Sequence, residues 1–431
     1  MVSNSERELY SSESGNRATQ DEDIFPDIVK IAPSWPVSGP SGVVITDEGI
    51  VIVDTGVGFR EGQDRVQRIR ERTNLPFHTI IYSHGHVDHV GGAPAFLADA
   101  EQRGHPRPRI IGHALVARRL DKYRMLAGRR AYIASLQFPR PDQAPSTRQD
   151  WSSVPEPLFV YPDTTFHDEI EFRLGGFTFE IRHAPAETDD AIWVWIPERK
   201  VAFIGDLLIY GCPNTGNPLK EQRYTLEWAE NLERIAEKKP DFVIGSGPVI
   251  SGQDVEERLL NTAKLLRFIQ DEVVRLLNAG CWIEEILEKI KIPEELTDKP
   301  YLRGSYGHPT FIIHDVYRRY TGWYDGNPSE LFPSLSSAIA TEVLRFASPE
   351  QVLARAHQLR QDGDIQLALH LTDFVIKGSD DGTRRNEAMR LKADLLDARA
   401  AGTQNFIAGT SCEPALVSSG MKPASYVFPP K

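Results

Sequence analysis

Residues 84–89 read His-Gly-His-Val-Asp-His. Two histidines one residue apart, then an aspartate and a histidine, place His84, His86, Asp88 and His89 on one short loop that can curl around a metal. Imidazole and carboxylate are zinc-type ligands. Twelve histidines make some chance proximity unsurprising, but this cluster follows a strand-like run, Thr79-Ile80-Ile81-Tyr82, after a single serine. Asp54, in Val53-Asp54-Thr55-Gly56, ends another apolar run. A carboxylate there can accept the free ring N–H of a metal-bound histidine and fix its tautomer, although a plain turn aspartate fits as well.

Such a loop needs rigid elements beneath it. The runs 42–45 and 50–53, joined by Thr46-Asp47-Glu48-Gly49, read as a β-hairpin. A polar stretch at 63–71 reads as helix, and the largely apolar 79–82 suits a strand covered on both faces. Further strands read at 109–111, 170–173, 177–182, 191–195, 201–204 and 242–244, with helices near 114–126 and 226–238. This order implies an α/β fold of two sheets sandwiched between helices, ending near residue 250. Beyond Gly252 the pattern turns helical, with Val255, Leu259, Leu260, Leu266, Ile269, Val273 and Leu277 on one face and Gly280 as a stop. Residues 349–400 read as two or three short helices, one opening after Ser348-Pro349.

Composition narrows the function classes. A chain of 431 residues exceeds one ordinary domain, and a formal charge of −12 argues against affinity drawn from nucleic-acid phosphates. Cys212, Cys281 and Cys412 are scattered and odd in number, so no disulfide framework is suggested. The N-terminus has no apolar secretory core, and no run approaches the roughly 20 apolar residues of a membrane span. The expectation is a soluble, cytoplasmic protein acting on a small molecule, without nucleic-acid or membrane partners.

The motif resembles that of the metallo-β-lactamase superfamily, His-x-His-x-Asp-His, and Gly91-Gly92 fits the likeness. The resemblance implies that His84, His86 and a third ligand hold one zinc, Asp88, His89 and a last histidine a second, with a carboxylate bridging both. The third ligand by position is Glu187 in Pro185-Ala186-Glu187-Thr188, with His183 the competing candidate; the bridge is Asp206 in Phe203-Ile204-Gly205-Asp206. A solvated loop carboxylate and a helix cap are the plainer readings of those two acids. The last histidine is replaced, Gly245-Ser246-Gly247 standing for Gly-His-Gly, so one or two zinc ions are expected, the second site lacking a ligand at Ser246.

Two segments resemble the alkyl-sulfatase branch: Ala184-Pro185-Ala186-Glu187, where a glutamate ligates metal, and Val316-Tyr317-Arg318-Arg319-Tyr320-Thr321-Gly322-Trp323-Tyr324-Asp325-Gly326-Asn327-Pro328, the tyrosine-rich signature of its dimerisation segment. Asp206 stands where that branch has Glu, Tyr306-Gly307-His308-Pro309 lacks its Ser-His-Asn run, and the sequence stops before a sterol-carrier-like domain. Arg223 and Arg303 are candidate anion contacts, while His308 and His314 are read as packed residues outside the metal set. The cluster of Tyr317, Tyr320, Trp323 and Tyr324 is read as core or dimer interface.

The expected architecture is an αββα metallo-β-lactamase sandwich followed by an all-α dimerisation region. It divides into a disordered tail (1–23), catalytic domain (24–250), helical dimerisation segment (251–345), helical hairpin module (346–402) and flexible tail (403–431). The implied function is a zinc hydrolase in which metal-bound hydroxide attacks an ester-type bond, a sulfate ester being one case, with Asp88 in the catalytic set and a homodimer as the assembly. The alternatives are a thioesterase, lactonase or β-lactamase-type hydrolase on the same site, or a metal-binding scaffold with a degenerate second site.

Overall fold

The computed structural model describes residues 20–34, 38–137, 151–154, 157–402 and 405. The hairpin expected at 42–53 forms as β3 (Ser41–Ile45) and β4 (Ile50–Val53), with Val43 opposite Ile52. Beside β4 run β5 (Phe77–Ile81), β6 (Arg109–His113) and β7 (Thr164–Phe166), all parallel; β1 (Glu22–Phe25) and β2 (Ile28–Ile31) complete a seven-stranded sheet. A six-stranded sheet carries β13 (Ile250–Ser251), β12 (Phe242–Ser246), β11 (Val201–Ile209), β10 (Ile192–Ile196), β9 (Phe177–His183) and β8 (Glu169–Leu174) in that order.

Three apolar layers establish the sandwich. Between the sheets lie Val44, Val51, Ile81 and Ile111 from one and Phe179, Ile181, Val194 and Phe203 from the other. The outer face of the first sheet is covered by α1 (Phe59–Arg70), α2 (Val87–Val90), α3 (Ala93–Gln102) and α4 (Leu115–Met125), through Val66, Ile69, Val90, Phe96, Val116 and Leu120. Next in the chain comes α5 (Ala127–Gln137). Trp228 and Leu232 of α6 (Thr225–Glu237), with Leu259, Leu266 and Val273 of α7 (Gln253–Asn278), cover the second sheet. The mixed α/β sandwich is therefore observed, because these strands bury both faces and need helices on each side.

The helical region continues with α8 (Ile283–Lys289), α9 (Glu294–Thr297), α10 (Pro309–Tyr320) and α11 (Ser336–Val343). The expected stop at Gly280 is real, with φ 81° in the left-handed range after α7. Three further helices, α12 (Pro349–Gln361), α13 (Ile365–Gly378) and α14 (Gly382–Gly402), share their own core of Leu353, Ala356, Leu359, Val375, Leu391 and Leu395.

Two tail boundaries need correction. The order begins before residue 24: Asp21 pairs with Arg68 at 2.6 Å, Glu22 with the buried Lys30 at 2.7 Å, and Asp23 with Arg72 at 2.5 Å, so charges that read as a solvated tail are ion-paired. Residues 1–19 lie outside the described residues. At the other end Asn405 is buried, and its Nδ2 donates to the carbonyls of Gly304 (2.7 Å), Tyr306 (3.1 Å) and Gly307 (3.1 Å). The rest of 403–431 lies outside the described residues.

Candidate metal centre

Loops at the carboxyl ends of β4, β5 and β12, the β9–β10 loop and a bend inside β11 converge at one edge of the sandwich. The loop after β5 carries the histidine motif, with His86 leading into the single turn of α2. Its glycine N–H, at Gly85, donates to Asp190 Oδ2 at 2.8 Å, and Arg119 Nε donates to the other oxygen of the fully buried Asp190 at 2.8 Å. This anchor was not legible in the sequence.

The ligating atoms face one another. His84 Nε2 lies 2.8 Å from His86 Nδ1, 3.5 Å from Glu187 Oε2 and 3.8 Å from Asp206 Oδ2; His86 Nδ1 lies 3.3 Å from Glu187 Oε2. On the other side His89 Nε2 is 3.2 Å from Asp206 Oδ1 and 3.4 Å from Asp88 Oδ2. The atoms of His84, His86, Glu187 and Asp206 lie within 4.8 Å of one another, as do those of Asp88, His89 and Asp206. Asp206 belongs to both groups.

His89 Nε2 and Glu187 Oε2 are buried and have no hydrogen-bond partner. Such orphans cost about 1–3 kcal/mol each, more when charged, unless something compensates them. Both point into the cluster, where a cation would meet their lone pairs. Electrostatics agrees: although burial opposes it, Asp206, Asp54 and Asp88 hold His89 well above 6.5, so these carboxylates demand positive charge. Burial and the neighbouring His89 and His86 hold His84 well below 6.5, keeping its ring neutral and able to ligate. Burial, opposed by His89 and reinforced by Glu187, pushes Asp206 up to about 6. The donor set thus fits a divalent cation.

Local structure explains the precision of these positions. Asp54 sits at φ 65°, a conformation an aspartate tolerates but one costing of order 1 kcal/mol or more, and three contacts over-determine it. Its Oδ1 accepts from Ser83 N (2.7 Å), and its Oδ2 accepts from Ser83 Oγ (2.6 Å) and faces His89 Nδ1 at 2.8 Å. Since Ser83 Oγ spends its proton on Asp54, its contact with His84 Nδ1 at 3.0 Å receives the imidazole N–H. The His84 ring is thereby held with Nε2 unprotonated toward the cluster, and Asp54 keeps an N–H of His89 at Nδ1, so that a bound cation would take the place of the proton on its Nε2. Gly205, at φ 51°, lets the chain reach Asp206: a Cβ there would lie 2.6 Å from Ser83 Oγ.

Other candidates sit elsewhere. The ring of His183 stacks on His113 with centroids 3.7 Å apart, and its Nε2 meets the Asp189 carbonyl at 2.7 Å. His308 caps α10, its Nδ1 accepting from Thr310 N at 3.2 Å, and His314 lies within that helix. Arg223, read as an anion contact, is buried and committed: Nη1 donates to Glu187 Oε1 and, at 2.6 Å, to the Asn214 carbonyl. Arg303 is solvent-exposed. Ser246 donates its hydroxyl to Asp206 Oδ1, beside the second group.

Beside the cluster, Tyr123 lies nearly parallel to His86 with ring centroids 6.3 Å apart and an angle of 19°, and the Arg130 guanidinium stands 3.8 Å over the Tyr123 ring. Lys220 keeps one side in solvent, yet burial and the neighbouring Arg223 and Arg130 push its ammonium down to about 8. Among the described residues neither cation is ion-paired to a carboxylate.

Residues 34–247 match the metallo-beta-lactamase superfamily, and residues 282–410 match the alkyl sulfatase dimerisation family. A linear primary-alkylsulfatase from a Pseudomonas species is 26% identical over 366 residues, 79% of this chain and 66% of the relative. An alkyl/aryl-sulfatase of Saccharomyces cerevisiae is 25% identical over 345 residues, 76% of this chain and 53% of the relative. The chain therefore spans about half to two thirds of the length of these curated relatives. The solved stereoselective inverting sec-alkylsulfatase Pisa1 from Pseudomonas sp. has the same fold, with a TM-score of 0.80 at 21% identity over 94% of this chain and 66% of that one. The chain thus carries a metallo-beta-lactamase superfamily domain over residues 34–247 followed by an alkyl sulfatase dimerisation domain over residues 282–410.

Proposed function

We propose that this protein is a zinc-dependent hydrolase of an anionic ester, with a sulfate ester as its first candidate substrate. The observation that carries the reading is the convergence of His84, His86, Glu187 and Asp206 on one point and of Asp88, His89 and Asp206 on a second beside it, with two buried orphan atoms turned inward. His84, His86 and Glu187 would hold one ion, Asp88 and His89 another, and Asp206 would touch both. Zinc bound there supplies a water of lowered pKa and an electrophile for developing negative charge.

The chain's own residues do the positioning. Asp54 and Ser83 set the histidine tautomers, Asp190 pins the loop at Gly85, and Arg223 engages one oxygen of Glu187 while the other faces the cluster. Asp88, partly open beside the cluster, is held below the usual carboxylate range, where burial is outweighed by His89 and His86. It therefore stays ionised, as a ligand or proton acceptor must. Arg130 and Lys220 offer positive charge at the rim to an anionic group. The alkylsulfatase relatives support the sulfate ester, and elemental analysis with a panel of sulfate esters, lactones and thioesters tests it: turnover of carboxyl substrates alone would remove the sulfatase assignment.

A carboxylic or thioester substrate is the second reading. It is favoured by His308, the one histidine of the segment standing for the Ser-His-Asn run, whose Nδ1 serves as a helix cap.

We place the active form as a homodimer. Phe332, Leu335 and Phe346 of the helical region are 94%, 78% and 90% exposed, an unusual amount of bare aromatic and aliphatic surface for a lone chain. Among the described residues no helix is long and apolar enough to cross a membrane. A cytoplasmic setting fits the free Cys212 and Cys281.

A further inference from the structure

One buried carboxylate links the helical half of the chain to the metal centre. Asp315 lies on α10, where Arg319 also ties that helix to α6 by pairing with Glu227 at 2.9 Å. Asp315 is only 6% exposed, and its Oδ2 accepts from Thr215 Oγ1 at 3.2 Å. The neighbouring Gly216, at φ 132°, packs so closely that a Cβ there would lie 2.6 Å from Asp315 Cγ. The same turn grips Arg223: Arg223 N donates to the Thr215 carbonyl at 2.8 Å and Nη1 to the Asn214 carbonyl at 2.6 Å, while Nη1 also reaches Glu187 Oε1. A chain of buried contacts thus runs from Asp315 through Thr215, Asn214 and Arg223 to Glu187.

We infer that Asp315 is a positioning residue for the metal centre: by seating the turn at Thr215 and Gly216 it holds Arg223 against Glu187. A helix of the dimerisation region thereby sets how one ligand is presented, which makes that region part of the site's construction. The inference rests on Glu187 as a metal ligand. Arg223 occupies Oε1 and leaves Oε2 facing His84 and His86; if the turn loosens, the guanidinium swings and the carboxylate gains freedom that weakens its hold on a cation. Partners of this kind typically govern 10–100-fold in metal affinity.

The test is zinc affinity of the full chain by chelator competition, at a temperature where melting curves show each variant folded. Asp315→Ala and Thr215→Val should each weaken zinc roughly tenfold, and Asp315→Asn, whose amide oxygen still accepts from Thr215, should stay within about threefold. Arg223→Gln should also weaken zinc, and the Asp315→Ala/Arg223→Gln double variant should lose no more than the worse single one, because both act on one path. Should Asp315→Ala fail to fold, Thr215→Val and Asp315→Asn carry the comparison. Loss of zinc in Glu187→Ala with wild-type affinity in Thr215→Val and Asp315→Ala overturns the inference while keeping the ligand. Wild-type affinity in Glu187→Ala instead overturns the ligand reading beneath it.

Discussion

Asp54 Oδ2 lies 2.8 Å from His89 Nδ1, at the end of β4 and in a left-handed backbone conformation. An ionised carboxylate only accepts, so the ring keeps its Nδ1 N–H on Asp54, which leaves Nε2 as the nitrogen where a cation would replace the proton in the cluster. Asp54→Ala should therefore weaken zinc at the His89 half roughly 10–100-fold. Isothermal titration of stripped protein checks this, and an unchanged isotherm would reduce Asp54 to a turn residue.

Ser246 donates to Asp206 Oδ1 from the place where the superfamily has its last histidine. Ser246→His should raise zinc stoichiometry toward two per chain by elemental analysis. A stoichiometry that does not move would show that the second group is complete without it.

Arg130 and Lys220 flank the cluster without carboxylate partners among the described residues. A hydrogen bond to a charged group contributes about 1.5–3 kcal/mol, and partial exposure of Lys220 takes the lower end, so removing either cation should raise KM for a sulfate ester roughly tenfold. Neutral esters should be little affected. Equal losses on both substrate types would mean that the two residues only support the fold.

Burial, opposed by Thr215, Arg223 and Arg318, raises the Asp315 carboxyl from 3.8 to about 7. Between those pH values the folded protein keeps a proton that the unfolded chain has released, so this residue's contribution to stability falls as pH rises through that window. The melting-temperature difference, Asp315→Asn minus wild type, should become more positive from about pH 4.5 to about pH 7.5. A difference flat with pH would rule out the raised carboxyl.

Phe332, Leu335 and Phe346 present bare apolar surface in the helical region. Replacing all three by serine should shift the assembly from dimer to monomer in sedimentation velocity, with helical content retained. A wild-type chain that already sediments as a monomer would contradict the interface.

Much of this was legible because the informative residues lie close in sequence. The histidine motif and Asp54 each follow a buried strand, and the largely apolar runs at 50–53 and 79–82 announce that strand burial on their own. Long-range contacts were not legible. Asp190 binds Gly85 across 105 positions, and nothing local distinguishes it from a solvated acid. Arg223 read as a free anion contact because its partner Glu187 stands 36 positions away. The first turn of α1 was missed because Gly58 precedes it with no capping side chain to mark a start.

In the proposed function one cluster both binds zinc and cleaves an anionic ester. This is tested most directly by measuring zinc content and sulfate-ester turnover together in wild type, His84→Ala and Glu187→Ala. Wild type should hold between about one and two zinc ions and turn the ester over, with both variants losing metal and turnover in parallel. Turnover that survives in either variant, or in wild type stripped of metal, would contradict the account.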